Sequence, residues 1–202
     1  MRFTCLLIAA LPVLAQYGEF NVHGGVNRIS PNKIGTITGE TSGNPFDALL
    51  DNGWLFGLRT TLNQGTFFGH EFGYNYNRTS IRYRPQISGA GNETTQGMAV
   101  HRSFYNFLLY ATPQGTKIRP FVTGGGHFAN FVQPGGSVQY GQGDNKFGYN
   151  YGAGVKFRVT ERWMIRVDGR QYVQGRPFDD FFQVDSGRFR NTEISLGVSF
   201  TL

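Results

Sequence analysis

Hydrophobic positions recur every second residue along most of the chain. From Phe147 to Val159, Phe147, Tyr149, Tyr151, Ala153, Val155, Phe157 and Val159 alternate with Gly148, Asn150, Gly152, Gly154, Lys156 and Arg158. Strict alternation puts one set on each face of an extended strand. Here one face is apolar and the other carries only Gly, Asn, Lys and Arg. The same period runs through Phe20–Val26, Trp54–Leu62, Phe68–Tyr76, Trp163–Val167 and Ile194–Leu202. Two further strands, over about Met98–Ala111 and Ile118–Phe131, are less clean. In Ser103–Ala111 both faces carry bulky side chains, Tyr105, Phe107 and Leu109 against Phe104, Leu108 and Tyr110. The pattern predicts eight strands of roughly ten to fourteen residues, the length of a tilted strand crossing a hydrocarbon layer of about 25 Å.

The connections alternate too. Asn63–Gly65, Pro113–Lys117 and Thr160–Arg162 are tight turns, whereas Ser30–Asn52, Thr79–Gly97, Gln133–Asn145 and Gln174–Arg188 are long loops. A sheet in lipid must close on itself, because an open edge has no water to satisfy it. An even strand number with both termini at one end allows closure. The predicted fold is therefore all-β, an eight-stranded antiparallel up-and-down transmembrane barrel.

The first residues have a different character. Arg2 precedes an apolar run from Phe3 to Leu14, and Val13-Leu14-Ala15 suits a cleavage site before the polar switch at Gln16. The pattern predicts a signal peptide over 1–15 and a barrel domain over 16–202. Cys5, the only cysteine, leaves with the leader, so no disulfide is available in the exported chain. Loss of Arg2 lowers the formal charge from +6 to about +5. With 29 glycines and 15 % aromatic residues in 202, neither disorder nor a helical membrane bundle fits.

The segments Asn106-Phe107-Leu108-Leu109-Tyr110, Arg119-Pro120-Phe121-Val122, Gly124-Gly125-Gly126 and Leu196-Gly197-Val198-Ser199-Phe200 carry a resemblance. Over essentially the whole mature length the chain resembles the small eight-stranded outer-membrane barrels of the OmpA transmembrane-domain and OmpX type. The resemblance implies a Gram-negative outer membrane location, contact with outer-membrane lipid and lipopolysaccharide, insertion by the barrel-assembly machinery, a monomer and no cofactor. That family typically ends on an aromatic residue read by the assembly machinery. Here Phe200 lies two residues before the final Leu202, on the same face. The peptidoglycan-binding domain of full-length OmpA is not expected.

An eight-stranded interior is just wide enough for side chains to fill. The inward set contains Glu19, Arg59, Glu71, Lys156, Arg158, Arg166, Asp168, Arg170 and Glu193, nearly balanced in charge. Such a connected network is tolerable inside a low-dielectric wall where isolated charge is not. It predicts a plugged, non-conducting barrel, with a gated ion path past Asp168 and Arg170 as the alternative. Inward glycines such as Gly57, Gly73, Gly148 and Gly154 make room for the long side chains, and Trp54, Tyr74, Tyr76, Tyr149 and Trp163 are girdle candidates. Function is then expected in the long loops, non-enzymatic and structural or adhesive. In the second loop Arg82 and Arg84 are candidates to grip lipopolysaccharide phosphates, since guanidinium forks match phosphate oxygens. The fourth loop carries Asp179, Asp180 and Asp185 beside Phe178, Phe181 and Phe182.

Two competing classes remain. A lipid A-modifying enzyme would use His101 and Ser103, two apart and so on one side of a strand, with Glu93 or Glu71 as orienter. A soluble lipocalin-like binder would need a polar exterior and an apolar lumen. His23, His70 and His127 are isolated, without metal-ligand spacing. Dispersed basic residues and export argue against nucleic acid.

Overall fold

Period-two patterning becomes backbone pairing along the chain. The computed structural model describes residues 17–30, 32–38, 43–87, 89, 91–132, 143–179 and 187–202. Its strands are β1 (Tyr17–Ser30), β2 (Lys33–Thr38), β3 (Pro45–Leu50), β4 (Gly53–Gln64), β5 (Phe68–Pro85), β6 (Thr94–Tyr110), β7 (Ile118–Val132), β8 (Asp144–Arg158), β9 (Trp163–Gln174) and β10 (Phe189–Thr201). In the order β5-β4-β1-β10-β9-β8-β7-β6 each strand bonds its neighbour, and β6 pairs back onto β5, so eight antiparallel strands close a barrel. The β1–β10 seam sets Glu19 opposite Thr201, which brings Tyr17 and Thr201 to one rim. The short turns share that rim, called here the terminal rim, and the longer excursions lie at the far rim.

The two faces are inverted relative to a soluble protein. Val26, Leu196 and Phe147 point outward and are 58 %, 60 % and 78 % exposed, whereas Arg59, Arg166 and Glu71 point inward and are 2 %, 1 % and 0 % exposed. Apolar exterior of this extent is stable against lipid and not against water. A lipocalin-like binder would need the opposite arrangement. Trp163 stacks edge-on against Phe200 at the terminal rim, and Trp54 lies against Tyr76 toward the far rim, so aromatic side chains bracket the apolar band. The bulky double-faced strand resolves as β6, with Arg102, Phe104, Asn106, Leu108 and Tyr110 inward and Ser103, Phe107 and Leu109 outward.

The far rim corrects the predicted loops in two places. Within Ser30–Asn52, β2 and β3 form a hairpin, and β3 adds to the upper end of β5 through Phe46–Leu50 against Pro85–Ile81. Thr79–Gly97 is mostly ladder, because β5 runs to Pro85 and β6 starts at Thr94, with Tyr83 opposite Thr94. Alternation simply continues through Ser80-Ile81-Arg82-Tyr83-Arg84, but its polar members hide it. The hairpin supplies Ile34 and Leu50 to an apolar cluster with Ile29, Ile81, Met98, Val100, Phe131, Phe178 and Phe189. This cluster lies toward the far rim, beyond the charged residues of the inner wall. The leader reading, most of the third loop, and Asp180, Phe181, Phe182 and Asp185 of the fourth fall outside the described residues.

Candidate functional site

The inner wall is built by every second residue of each strand, and the register stacks its polar groups in three layers. Nearest the terminal rim, Lys156 pairs with Glu19 and donates to the Tyr110 hydroxyl at 2.8 Å, while Asn63 donates to Glu19 at 2.7 Å. Arg119 lies with its guanidinium 3.4 Å from the Tyr110 ring centroid and donates to Asn63 at 3.2 Å. In the middle layer Glu71 accepts from Arg166 and Arg170, each at 2.5 Å. Asp168 accepts from Arg59 and from Arg170, both at 2.7 Å, and from Ser195 at 2.8 Å. In the third layer Glu193 pairs with Arg102 and accepts from Asn75 at 2.8 Å, and Asn75 meets the His23 ring at 2.9 Å. Such bridging carboxylates leave no acidic group isolated in a low-dielectric wall.

Space for these side chains comes from glycine. A Cβ on Gly73 would lie 2.2 Å from the Phe104 ring, and one on Gly57 would lie 2.3 Å from Asn75 and 2.6 Å from His23. Inward aromatics then serve as platforms. The Arg102 guanidinium sits 4.1 Å from the Tyr172 ring centroid and that of Arg166 4.5 Å from Phe121, distances at which the ring quadrupole attracts a cation.

Of the candidate network, Arg59, Glu71, Lys156, Arg166, Asp168, Arg170 and Glu193 all lie in these ion pairs. Arg158 is the exception. It ends β8 half-buried at the terminal rim and makes no ion pair among the described residues, because its wall neighbours there bring no carboxylate within reach. Sequence reasoning missed Arg102 and Arg119, both buried on the inner wall. With them the near-balance of charge disappears. Among the described residues of the spanning wall, the cations Arg59, Arg102, Arg119, Lys156, Arg158, Arg166 and Arg170 face the carboxylates Glu19, Glu71, Asp168 and Glu193.

Arg82 and Arg84 sit on β5 rather than in a loop, on the outward face above Trp54 and Tyr76. Both are engaged. Arg82 pairs with Asp51 and reaches Glu93 at 3.3 Å, and Arg84 reaches Glu93 at 3.2 Å. Desolvation alone would raise the Glu93 carboxyl, but the hydrogen bonds from Arg84 and Arg82 outweigh it and hold the group below its ordinary range.

The enzymatic candidates are not brought together. His101 and Ser103 face outward, and the His101 ring meets the Tyr74 hydroxyl at 2.5 Å. Glu71 is sealed on the opposite side of the wall, and Glu93 belongs to the arginine cluster. A Ser–His pair lacking an orienting carboxylate has no triad geometry. Among the described residues no group of His, Cys, Asp and Glu could hold a metal ion.

Comparison with known proteins points one way. The family model described as "Outer membrane protein beta-barrel domain" matches residues 2–201. Among solved structures, the outer membrane protein OprG of Pseudomonas aeruginosa superposes with a TM-score of 0.61 at 11 % identity, over 92 % of this chain and 96 % of that one. The N-terminal β-barrel domain of OprF from the same organism gives 0.52 at 15 % identity, over 92 % and 97 %. Ail, the attachment invasion locus protein of Yersinia pestis, solved with the heparin analogue sucrose octasulfate, gives 0.51 at 12 % identity, over 93 % and 99 %. No curated protein matches the sequence.

Proposed function

Because the chain belongs to the outer membrane protein beta-barrel domain family, we propose that it is a non-enzymatic outer-membrane barrel with a sealed lumen, acting through its extracellular rim in a structural or adhesive role. In such barrels the short turns face the periplasm and the longer segments the outside. That assigns the terminal rim to the periplasm and the far rim, with its β2–β3 hairpin, to the cell surface. One arrangement supports the reading: ion pairs stack in layers along the inner wall, and the apolar cluster lies beyond them toward the far rim. A cation or solute entering from either side would have to break buried, mutually bridging pairs. The Y. pestis barrel of the same fold is named for attachment, which agrees with a role at the surface. Proteoliposomes loaded with the protein should swell in small sugars no faster than protein-free ones. Swelling at the rate of a general porin would overturn the sealed lumen.

In this reading the chain is exported through its leader, is inserted as a monomer by the barrel-assembly machinery, and needs no cofactor. Arg82 and Arg84 contact lipopolysaccharide phosphates from the outward face of β5. Their placement above the Trp54–Tyr76 pair supports the contact, since this is the level of lipid headgroups. Asp51 and Glu93 compete for the same guanidinium groups. The double variant Arg82→Glu with Arg84→Glu should retain less lipopolysaccharide through purification while keeping its heat-modifiable gel migration. Unchanged retention would mean that the internal carboxylates absorb both charges.

A further inference from the structure

The charge excess in the barrel wall is not spread evenly. The third layer sets Arg102 against Glu193, and the middle layer shares two carboxylates among three arginines. The layer at the periplasmic rim holds Lys156, Arg119 and Arg158 with only Glu19, which Lys156 already engages. Arg119 stands directly opposite Lys156 across the β7–β8 ladder, and Arg158 follows Lys156 on the same face of β8. Arg119 is 4 % exposed, yet its partners are neutral: Asn63, the Thr66 carbonyl and the Tyr110 ring. The Nε atoms of Arg119 and Arg158 are both buried without a hydrogen-bond partner.

Two guanidinium groups beside an ammonium, with one carboxylate among them, leave an uncompensated positive site. Burying a charge without a counter-charge is unfavourable, and neighbouring like charges add to that cost. Arginine cannot escape by losing its proton. An oxyanion supplies what the layer lacks, since its oxygens accept from guanidinium groups in the fork geometry arginine favours. We infer that the periplasmic mouth of the barrel binds a phosphate-class oxyanion between Arg119 and Arg158. The site is reached from the periplasm, because Arg158 is half-buried at the last residue of β8. The anion is either a free inorganic oxyanion or the phosphodiester of an inner-leaflet headgroup.

The test uses the full barrel in zwitterionic detergent, with thermal unfolding followed while sodium sulfate or sodium phosphate is titrated against sodium chloride at equal ionic strength. A ligand that binds only the folded state raises the midpoint in a saturable way. Sulfate and phosphate should do this and chloride should not. Arg158→Gln should shift the half-saturating concentration upward about tenfold, as loss of one charge-assisted bond implies. Arg119→Gln should do the same, and Arg158→Gln at the rim keeps the test valid if that buried variant does not fold. Repeating the comparison in phosphatidylglycerol and phosphatidylcholine bilayers separates the sources. If the sulfate response vanishes only in phosphatidylglycerol, the headgroup fills the site; if it persists in both, the ligand is the free oxyanion. Equal responses to chloride and sulfate, or identical sulfate titrations for wild type and Arg158→Gln, would overturn the proposal.

Discussion

Replacing Glu71 with alanine is expected to destabilise the barrel by about 3–5 kcal/mol, the range for removing one partner of a buried pair. The carboxylate accepts from Arg166 and Arg170 at 2.5 Å and from the Thr61 hydroxyl at 3.3 Å. Its loss leaves two buried guanidinium groups to share Asp168 with Arg59. Arg162→Ala, in the exposed turn between β8 and β9, should cost less than about 1 kcal/mol. Denaturant unfolding of the folded protein in detergent micelles reads both values. The pair Glu71→Ala with Arg166→Ala should lose less than the sum of its members, because one orphaned charge goes with its partner. Equal small losses at Glu71 and Arg162 would mean that the lumen is solvated and its ion pairs are screened.

Phe131→Ala is expected to cost a similar amount, about 3–5 kcal/mol, for a different reason. Phe131 is 2 % exposed within the apolar cluster at the far rim, with edge-on ring contacts to Phe178 and Phe189 at centroid distances of 6.3 and 6.1 Å. Truncation removes apolar contact and leaves a cavity that the surrounding strands, fixed by ladder hydrogen bonds, can only partly close. The damage should be local to the outer end. On intact cells, added protease should cut within residues 33–50 faster in Phe131→Ala than in wild type, while the heat-modifiable migration of the barrel persists. A loss below about 1 kcal/mol with unchanged cleavage would show that the cluster does not hold the hairpin in place.

The barrel was legible because its signal is repeated. Each spanning strand alternates against a lipid whose preference never changes, so Phe147–Val159 or Ile194–Leu202 shows its faces without help from any neighbour. Legibility failed where that contrast is lost. Above the lipid both faces of β5 meet protein or water, so Ile81 and Tyr83 disappear among Ser80, Arg82 and Arg84, and the strand reads as a loop. The hairpin is held by pairing with residues far along the chain, Phe46 with Pro85 and Leu50 with Ile81, which no local pattern announces. Inside the wall, hydrophobicity misleads in another way. Phe104, Tyr110, Phe121 and Tyr172 face inward as platforms for arginines, so β6 and β7 look equally bulky on both sides. That is why Arg102 and Arg119 escaped the sequence reading although Arg119 opens a segment singled out for other reasons. Carrying the β6 alternation back from Tyr110 in steps of two would have put Arg102 inside.

The sealed lumen is tested most directly by planar-bilayer recording of the purified wild-type protein at neutral pH across both polarities. The ion network and the apolar cluster beyond it predict a baseline without stable current steps, even after the protein is shown by heat-modifiable migration to be folded. A reproducible open state in the nanosiemens range, present in every folded preparation, would contradict the account.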